Sequence, residues 1–271
     1  MRRGTAAGSD CATMSAMTAA SELDPPDPVG QHDDGSRRVV WNQTELGPAC
    51  PSRAFFDFGG WQASGRVEGQ GIGRGQALFI VGEGGARWVL RHYRRGGVIA
   101  HLNADRYFGP LNDRCRPMRE FDLLTRLRAI GLDVPRPIAA QAVRSAGLAY
   151  RADLVTERII DSSPLADHLT RIRLAQIHWR HLGRTLARLH TCGVWHADLN
   201  ARNVLIDADD RFYLIDFDRA RFRADGSWRQ ANLKRFRRSL DKFAGRWATF
   251  NFAEADWQAL LEGYREAFGR L

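Results

Sequence analysis

The feature that most constrains the fold of this 271-residue chain is a stretch in which a helix, a polar loop and a short hairpin follow one another. Apolar residues recur at helical spacing over residues 174–191, which predicts an amphipathic helix. A polar loop, residues 196–203, comes next, and two short apolar runs at 204–206 and 212–215 predict a hairpin. Because a hairpin returns its end close to its start, we expect Asp216, just past the hairpin, to face the loop.

The side chains of this loop and of the hairpin end are the kinds that phosphoryl transfer from ATP requires. Asp198 is predicted to be the catalytic residue, because a carboxylate there would orient an attacking hydroxyl and accept its proton. Asn203 and Asp216 are predicted to hold Mg²⁺, which prefers hard oxygen ligands. His196 and Asn200 are expected to support the loop structurally.

Residues 196–203 and 214–218 resemble the catalytic loop H-R-D-L-x-x-x-N and the metal motif D-F-G of protein kinases. Two departures argue against an ordinary protein kinase. Asn200 stands where those enzymes usually carry a lysine, and Asp218 replaces the glycine of D-F-G. No A-P-E motif follows, so we expect neither an activation loop nor a peptide-docking platform.

A glycine-dense loop precedes this region by more than a hundred residues. Gly69, Gly71 and Gly73 lie just before an apolar run, residues 77–81, that forms a predicted hairpin with residues 87–93. Missing side chains let backbone N–H groups approach phosphate oxygens, so we assign the three glycines to ATP binding. A flexible surface loop remains the alternative.

Arg91 is predicted to take the place of the phosphate-binding lysine of kinases. The only lysines of the chain are Lys234 and Lys242, both near its end, so no lysine is available in the first half. The planar guanidinium of Arg91 can grip two oxygens of the ATP phosphates. Glu120, on a predicted helix over residues 118–130, would be its ion-pair partner in the ATP-binding site.

The chain divides by composition. Residues 1–50 are rich in Gly, Ala, Ser, Asp and Pro, and we expect them to be a disordered extension. Residues 55–157 are rich in predicted strands and form an expected N-lobe, and residues 158–271 form an expected helical C-lobe. The predicted fold is therefore α+β, a two-lobed protein-kinase-like fold with the ATP cleft between the lobes and a hinge near residues 157–159.

A more specific resemblance is to bacterial Kdo kinases, the 3-deoxy-D-manno-octulosonic acid kinases of lipopolysaccharide core synthesis. The segments that carry it are residues 89–97, 119–121, 150–153, 194–201 and 214–219, with His-Ala-Asp-Leu-Asn-Ala and Ile-Asp-Phe-Asp-Arg as the most specific parts. The resemblance implies that Arg91, Asn200 and Asp218, which depart from the protein-kinase pattern, are typical of this family. The first fifty residues lie outside it.

The resemblance implies that ATP and Mg²⁺ are used to phosphorylate the 4-hydroxyl of a Kdo sugar in Kdo-lipid IVA. It also implies a peripheral protein at the cytoplasmic face of the bacterial inner membrane. The net charge of +9 suits an anionic acceptor and an anionic membrane surface. No apolar run is long enough to span a bilayer. Nucleic-acid binding would rest on charge alone and is not expected.

The segment 228–247 allows two interpretations. Its apolar residues follow three- and four-residue steps, and cationic residues, Arg235 among them, occupy its other faces. The segment is either a surface for anionic lipid or a core helix with a solvated basic face, and the second is favoured.

Two further functions stay open at this point. Another kinase-like sugar or small-molecule kinase, of the heptose kinase or aminoglycoside phosphotransferase type, would keep every assigned residue and change only the acceptor. A pseudokinase that acts as a binding module is the other; the missing lysine favours it, and the presence of Asp198, Asn203 and Asp216 opposes it.

Overall fold

The computed structural model of the chain describes residues 27–71, 76–94 and 105–269, so Gly73 lies outside the described residues. The strands are β1 (Val29–Asp33), β2 (Arg37–Asn42), β3 (Val67–Gln70), β4 (Gln76–Val81), β5 (Arg87–His92), β6 (Tyr107–Phe108), β7 (Pro137–Ala146), β8 (Ala149–Glu157), β9 (Ser163–Pro164), β10 (Val194–Trp195), β11 (Val204–Ile206), β12 (Phe212–Leu214) and β13 (Arg221–Phe222). The α-helices are α1 (Gln43–Leu46), α2 (Phe58–Ala63), α3 (Arg116–Ala129), α4 (Leu165–His168), α5 (Gln176–Thr191), α6 (Trp228–Ala244) and α7 (Glu254–Phe268).

An antiparallel sheet dominates the first half of the chain. In the described residues its order is β1-β2-β7-β8-β5-β4-β3, and β6 pairs with β8 at one side. The predicted hairpin is β4–β5, in which Ala77 lies opposite Arg91. Helix α3 packs on one face of the sheet and buries Phe121, Leu124 and Leu127, the apolar stripe from which this helix was predicted. This packing places one end of β5 beside α3.

The prediction that residues 1–50 are disordered is wrong for residues 27–50. β1 and β2 form a hairpin, and β2 pairs with β7 at the edge of the sheet, so the sheet begins well before residue 55. The composition-based prediction gave weight to the prolines and glycines. It overlooked Val39 and Trp41, whose side chains the sheet buries on one face. Residues 1–26 lie outside the described residues.

A second, smaller core covers the opposite face of the sheet from α3. There the segment that contains Phe56 and α2 packs against Trp88 and Leu90. A buried chain of hydrogen bonds runs across the same face and joins four strands. It links Arg37 to Gln141, Gln141 to Asp153 and Asp153 to His92, over distances of 3.0, 2.8 and 2.6 Å.

The second half of the chain is mainly helical. Helices α5 and α7 approach very closely, because Gly183 of α5 and Gly263 of α7 lie against the backbone of the partner helix. A Cβ added at Gly183 would lie only 2.0 Å from the carbonyl oxygen of Leu260. Salt bridges from Arg180 to Glu262 and from Arg184 to Glu266 flank this contact.

Helix α6 is a core helix with a solvated basic face. Leu233, Phe236 and Leu240 are buried in the main hydrophobic core. Lys234 and Arg238 are exposed. The core-helix interpretation of this segment is therefore confirmed. In the part of the chain that the structure describes, no helix is both long enough and apolar enough to cross a membrane.

Candidate active site

The polar loop of residues 196–203 joins β10 to β11, and β11 and β12 form the hairpin that the sequence predicted. Val204 pairs with Leu214, and the N–H of Ile215 donates to the carbonyl oxygen of Asn203 at 3.0 Å. Asn203 and Ile215 therefore face each other directly across the open end of the hairpin. Asp216 follows Ile215, so the structure brings the two predicted metal-binding residues to neighbouring positions.

The loop is held in shape by two asparagine side chains. The Nδ2 groups of Asn200 and Asn203 both donate to the carbonyl oxygen of Asp198, each at 2.9 Å. The Oδ1 of Asn200 accepts the N–H of Arg202 at 2.8 Å, so this side chain serves the loop itself. Asn203 uses only its nitrogen in this way, which leaves its oxygen for a cation.

The donor set at this point suits Mg²⁺. It consists of the amide oxygen of Asn203 and the carboxylate of Asp216, both hard oxygen ligands. Among the described residues there is no group of three or more His, Cys, Asp or Glu side chains that would hold a metal. Mg²⁺ usually keeps several waters and uses one or two protein ligands plus substrate phosphates, so two protein ligands are enough for such a site.

Asp216 has an unusual backbone conformation. Its φ is +65°, in the left-handed region that non-glycine residues seldom adopt. Strain of this kind persists where the surrounding structure determines it, and it occurs often at functional sites. The side chain is 41% exposed, and its Oδ1 accepts a hydrogen bond of 2.7 Å from Nη1 of Arg91.

Arg91 of β5 pairs with two carboxylates, one next to the loop region and one in α3. Besides Asp216, its guanidinium pairs with Glu120 of α3, which is buried, and its Nη2 donates to the hydroxyl of Tyr93 at 3.3 Å. The hydroxyl of Tyr93 in turn donates to Glu120. Burial alone would lower the pKa of Arg91, but the carboxylates of Glu120 and Asp216 hold that pKa well above its usual value. The predicted Arg91–Glu120 ion pair is thus present.

The two described glycines of the glycine-dense loop lie near Arg91. Gly69 is in β3, and the N–H of Gly71 donates to the carbonyl oxygen of Ala77 at 2.9 Å. Since Ala77 pairs with Arg91, these residues lie in one row across three neighbouring strands. A Cβ on Gly71 would lie 3.1 Å from the Cβ of Ala77, which is a tight contact. The described part of this loop is therefore level with Arg91 on the sheet, with β4 between them.

His196 is buried and joins the loop to the strand that precedes Asp216. Its Nε2 donates to the carbonyl oxygen of Ile215 at 3.0 Å, and its Nδ1 accepts the N–H of Asp198 at 3.2 Å. The ring also packs edge-on against Phe217. Burial lowers the pKa of His196, which favours the neutral ring that both hydrogen bonds require.

A second layer of polar residues lies behind His196, and sequence analysis missed it. Asn232 of α6 bonds both the N–H and the carbonyl group of His196, and its Oδ1 also lies 3.3 Å from Nε2 of His190. Nδ1 of His190 is 2.8 Å from the hydroxyl of Tyr264 in α7. The loop is therefore tied through hydrogen bonds to three helices, α5, α6 and α7.

Sequence analysis also missed the partner of Asp198. The guanidinium of Arg235 in α6 donates to Oδ1 of Asp198. Burial works to raise the pKa of Asp198, but the ion pair with Arg235 holds that pKa below its usual value. The available signal was helical spacing. Asn232, Arg235 and Ser239 lie three and four residues apart on one face of α6, but sequence does not show what that face meets.

Asp218 connects the loop region to α3. Its Oδ2 accepts a hydrogen bond of 2.8 Å from Nη2 of Arg116, the first residue of α3, while its buried Oδ1 has no hydrogen-bond partner. Burial raises the pKa of Asp218. Because α3 also carries Glu120, the Arg116–Asp218 pair helps to fix the distance between Glu120 and the 216–218 segment.

The predicted hinge at residues 157–159 begins where β8 ends. The N–H of Glu157 donates to the carbonyl oxygen of Arg136 at 2.8 Å, and the N–H of Arg158 donates to that of Arg87 at 3.0 Å. Both donors are thus used inside the protein. Adenine recognition at this hinge would need other backbone groups.

Comparisons with known proteins find relatives that match most of the chain. A model of the lipopolysaccharide kinase (Kdo/WaaP) family matches residues 59–264. A 3-deoxy-D-manno-octulosonic acid kinase of Photobacterium profundum is 40% identical over 225 residues, which cover 83% of this chain and 94% of the relative. A protein of the same name from Vibrio vulnificus is 39% identical over 236 residues, which cover 87% of this chain and 98% of the relative.

A solved structure supports the fold. The structure titled "WaaP in complex with acyl carrier protein" matches with a TM-score of 0.50 and 18% sequence identity, over 76% of this chain and 82% of that chain. At this identity the match concerns the fold alone, and it confirms the predicted protein-kinase-like α+β fold. The family model spans most of the chain, and relatives that are 39% and 40% identical are covered almost from end to end. The chain therefore belongs to the lipopolysaccharide kinase (Kdo/WaaP) family.

Proposed function

We propose that the protein transfers the γ-phosphoryl group of ATP to the 4-hydroxyl of a Kdo sugar in Kdo-lipid IVA. The observation that carries the proposal is the meeting of Asp198, Asn203 and Asp216 at one loop–hairpin junction, beside an arginine paired with a buried glutamate. Kinase membership of the family supports ATP as the phosphate donor. The printed name of both relatives, 3-deoxy-D-manno-octulosonic acid kinase, supports the acceptor.

In this proposal Asp198 orients the acceptor hydroxyl and takes its proton. A bond forms between the hydroxyl oxygen and the γ-phosphorus, and the bond from that phosphorus to the β–γ bridging oxygen breaks. ADP leaves with the bridging oxygen, and Asp198 later releases the proton to solvent. Because the transition state carries charge on the phosphoryl oxygens, most of the rate gain would come from positioning and electrostatic stabilisation.

Other residues would bind the nucleotide. Arg91 would hold the phosphates, with Glu120 fixing its guanidinium, and the glycine-dense segment predicted from Gly69, Gly71 and Gly73 would contribute to ATP binding. Asn203 and Asp216 would hold Mg²⁺. When bound, the ion supplies positive charge that neutralises the phosphate oxygens. Asp216 would then use its carboxylate for the cation, and Nη1 of Arg91, which now donates to Asp216, would be available to the phosphates.

The proposal includes the location of the protein in the cell. A lipid-linked acceptor lies at a membrane, and a chain with a net charge of +9 is attracted to anionic lipid. We therefore propose peripheral association with the cytoplasmic face of the bacterial inner membrane. Sedimentation with anionic and with neutral vesicles tests this, and equal binding to both would contradict it.

The alternatives predict different results. A heptose kinase or aminoglycoside phosphotransferase would keep the ATP chemistry and use another acceptor, whereas a pseudokinase would bind without transfer. The intact set of Asp198, Asn203 and Asp216 opposes the pseudokinase. The Kdo name of two relatives matched over most of their length opposes a different acceptor.

The direct test is phosphate transfer from radiolabelled ATP to Kdo-lipid IVA by the purified protein with Mg²⁺. Asp198→Ala removes the proposed base, and Asp209→Ala is the matched control, because Asp209 is an exposed aspartate in the turn of the same hairpin. We expect full transfer by the wild type and by Asp209→Ala, and a rate about 10²–10⁴-fold lower for Asp198→Ala. Transfer to other sugars instead of Kdo would overturn the acceptor, and ATP binding without any transfer would favour the pseudokinase.

A further inference from the structure

Arg235 of α6 occupies a position that the proposed reaction needs. Its guanidinium donates to Oδ1 of Asp198, the carboxylate assigned as the base. A hydroxyl that gives its proton to Asp198 must approach that same carboxylate. Arg235 therefore lies beside the place where the reacting part of the acceptor has to bind.

Among the described residues, three side chains on one face of α6 form hydrogen bonds with the loop, and two of them are neutral. Asn232 bonds the backbone of His196, and the hydroxyl of Ser239 accepts the N–H of Ala201 at 3.1 Å. These two contacts attach the loop to α6 at positions about two helical turns apart. Arg235 lies between them and is the one that brings a full charge, which attachment of the loop does not require.

A role in supporting the base does not explain Arg235 either. A cation next to a carboxylate makes that carboxylate a weaker proton acceptor, which is unfavourable for a general base. The side chain of Arg235 is 45% exposed, so its charge is not buried for stability. An arginine carries five N–H donors, and among the described residues only Asp198 accepts from this one.

We propose that Arg235 binds the carboxylate of the acceptor sugar and so places the sugar hydroxyl against Asp198. This inference rests on the proposed function, in which the acceptor is an octulosonic acid and carries a carboxylate on the same sugar as the reacting hydroxyl. A planar guanidinium binds a carboxylate through two parallel hydrogen bonds. The acceptor carboxylate replaces Asp198 as the partner of Arg235, and Oδ1 of Asp198 becomes free to accept the hydroxyl proton.

A different ligand could use the same guanidinium. The transferring phosphoryl group also comes close to Asp198 and is also anionic, so Arg235 would then stabilise the transition state. The two roles differ in one respect. Only the proposed role depends on the negative charge of the acceptor carboxylate, so removing that charge from the acceptor separates them.

The test measures kcat and KM for two acceptors, Kdo-lipid IVA and the same molecule with its Kdo carboxylate converted to a methyl ester. The variants are Arg235→Gln, which removes the charge, and Arg235→Lys, which keeps the charge without the planar fork. Arg238→Gln is the matched control, because Arg238 is an exposed arginine one turn along the same helix. Thermal unfolding of each variant reports on folding.

We expect Arg235→Gln to raise KM for the acid acceptor roughly ten- to hundredfold, the effect of one charge-assisted hydrogen bond. Wild type should lose a similar factor on the methyl ester, and the variant should lose little more when both changes are combined. Arg235→Lys should recover part of the loss, and Arg238→Gln should behave as wild type. KM for ATP should stay within about twofold in all variants.

Three results would overturn the inference. Equal losses of kcat on acid and ester would assign Arg235 to the phosphoryl group or to Asp198 itself. Equal activity of wild type on both acceptors would show that the carboxylate is not bound, as would an Arg235→Gln variant with unchanged KM. In each of these cases wild type still phosphorylates Kdo. A wild type inert towards Kdo would instead overturn the proposed function, and this inference with it.

Discussion

Asn232 holds both backbone polar groups of His196. Its Oδ1 accepts the N–H of His196 at 3.2 Å, and its Nδ2 donates to the carbonyl oxygen of the same residue at 2.7 Å. Both residues are buried, so neither backbone group has water as an alternative partner. The start of the loop that carries Asp198 therefore depends on a single side chain of a helix that lies more than thirty positions later in the sequence.

Replacing Asn232 by alanine should destabilise the protein. The change leaves two buried backbone groups unpaired, and each such group costs about 1–3 kcal/mol. We expect the free energy of unfolding, measured by urea denaturation, to fall by about 2–4 kcal/mol on this basis. Lys234→Ala, on the exposed face of the same helix, should change it by less than about 0.5 kcal/mol. A small effect of Asn232→Ala would show that water replaces the side chain.

The Arg91–Glu120 pair should show opposite effects of single and double substitution. Glu120→Ala leaves the guanidinium of Arg91 near Tyr93 without its main counter-charge, and we expect a loss of up to about 3 kcal/mol, since Arg91 is partly exposed. The double variant Arg91→Met with Glu120→Leu should regain most of the stability, because no unpaired charge remains.

Activity should not follow stability in this series. The double variant should bind ATP poorly, whereas Arg91→Lys should keep part of the turnover because it keeps the charge and loses only the fork. Urea unfolding and KM for ATP, measured on the same four proteins, check both statements. If the double variant were active, the assignment of Arg91 to ATP binding would be wrong.

Substitutions of Asp216 and Asp198 should reduce turnover for different reasons. Asp216→Asn keeps a residue type that tolerates the observed φ of +65°, so it should fold like wild type and yet lose Mg²⁺-dependent turnover. Asp198→Ala should lower kcat by about 10²–10⁴-fold, the scale of a lost general base, while ATP binding with Mg²⁺ persists. Calorimetric titration with Mg²⁺-ATP separates the two. Normal activity of Asp216→Asn would refute the whole site assignment.

Local sequence was enough for the parts of the site that lie close together along the chain. The β11–β12 hairpin and the loop before it could be predicted because apolar alternation and turn residues determine both, and together they place Asn203 beside Asp216. The Arg91–Glu120 ion pair was predicted from the resemblance to kinases. Strand and helix periodicity by themselves only placed these residues on neighbouring elements.

Tertiary packing decides the parts that sequence analysis missed. Asn232 and Arg235 lie on a helix whose apolar stripe was predicted, but the stripe shows only which face enters the core. Nothing local shows that the adjacent polar face meets the 196–203 loop. β1 and β2 were missed for a related reason, since a short edge hairpin is stabilised by β7, which lies about a hundred residues away.

His190 should make stability depend on pH. Burial lowers the pKa of His190 to about 4, and the unfolded chain has the ordinary value near 6.5. Between these values the unfolded state binds a proton that the folded state does not, so stability falls as pH falls from about 6.5 to 4. The shift corresponds to about 3 kcal/mol, all of it present above pH 6.5.

The comparison of wild type with His190→Gln isolates this effect. His196 also has a lowered pKa and the same sign, but it is present in both proteins. We expect the variant to lose less stability than wild type between pH 6.5 and pH 4, as measured by urea unfolding across this range. Parallel curves for the two proteins would contradict the assignment.

Gly183 should be a position where alanine, normally the better helix former, destabilises the protein. Alanine is favoured over glycine in a helix by about 1 kcal/mol. A Cβ at Gly183 would lie 2.0 Å from the carbonyl oxygen of Leu260, so α5 and α7 would have to move apart. Overpacking of this kind typically costs about 1–3 kcal/mol, and here the obstacle is backbone, so we expect at least the upper value. Gly245→Ala is the control, because a Cβ at Gly245 meets its nearest atom at an ordinary 3.6 Å, and this variant should unfold like wild type or slightly later. Thermal unfolding that is equal for both variants would mean that the two helices pack less closely in solution than their glycine contacts require.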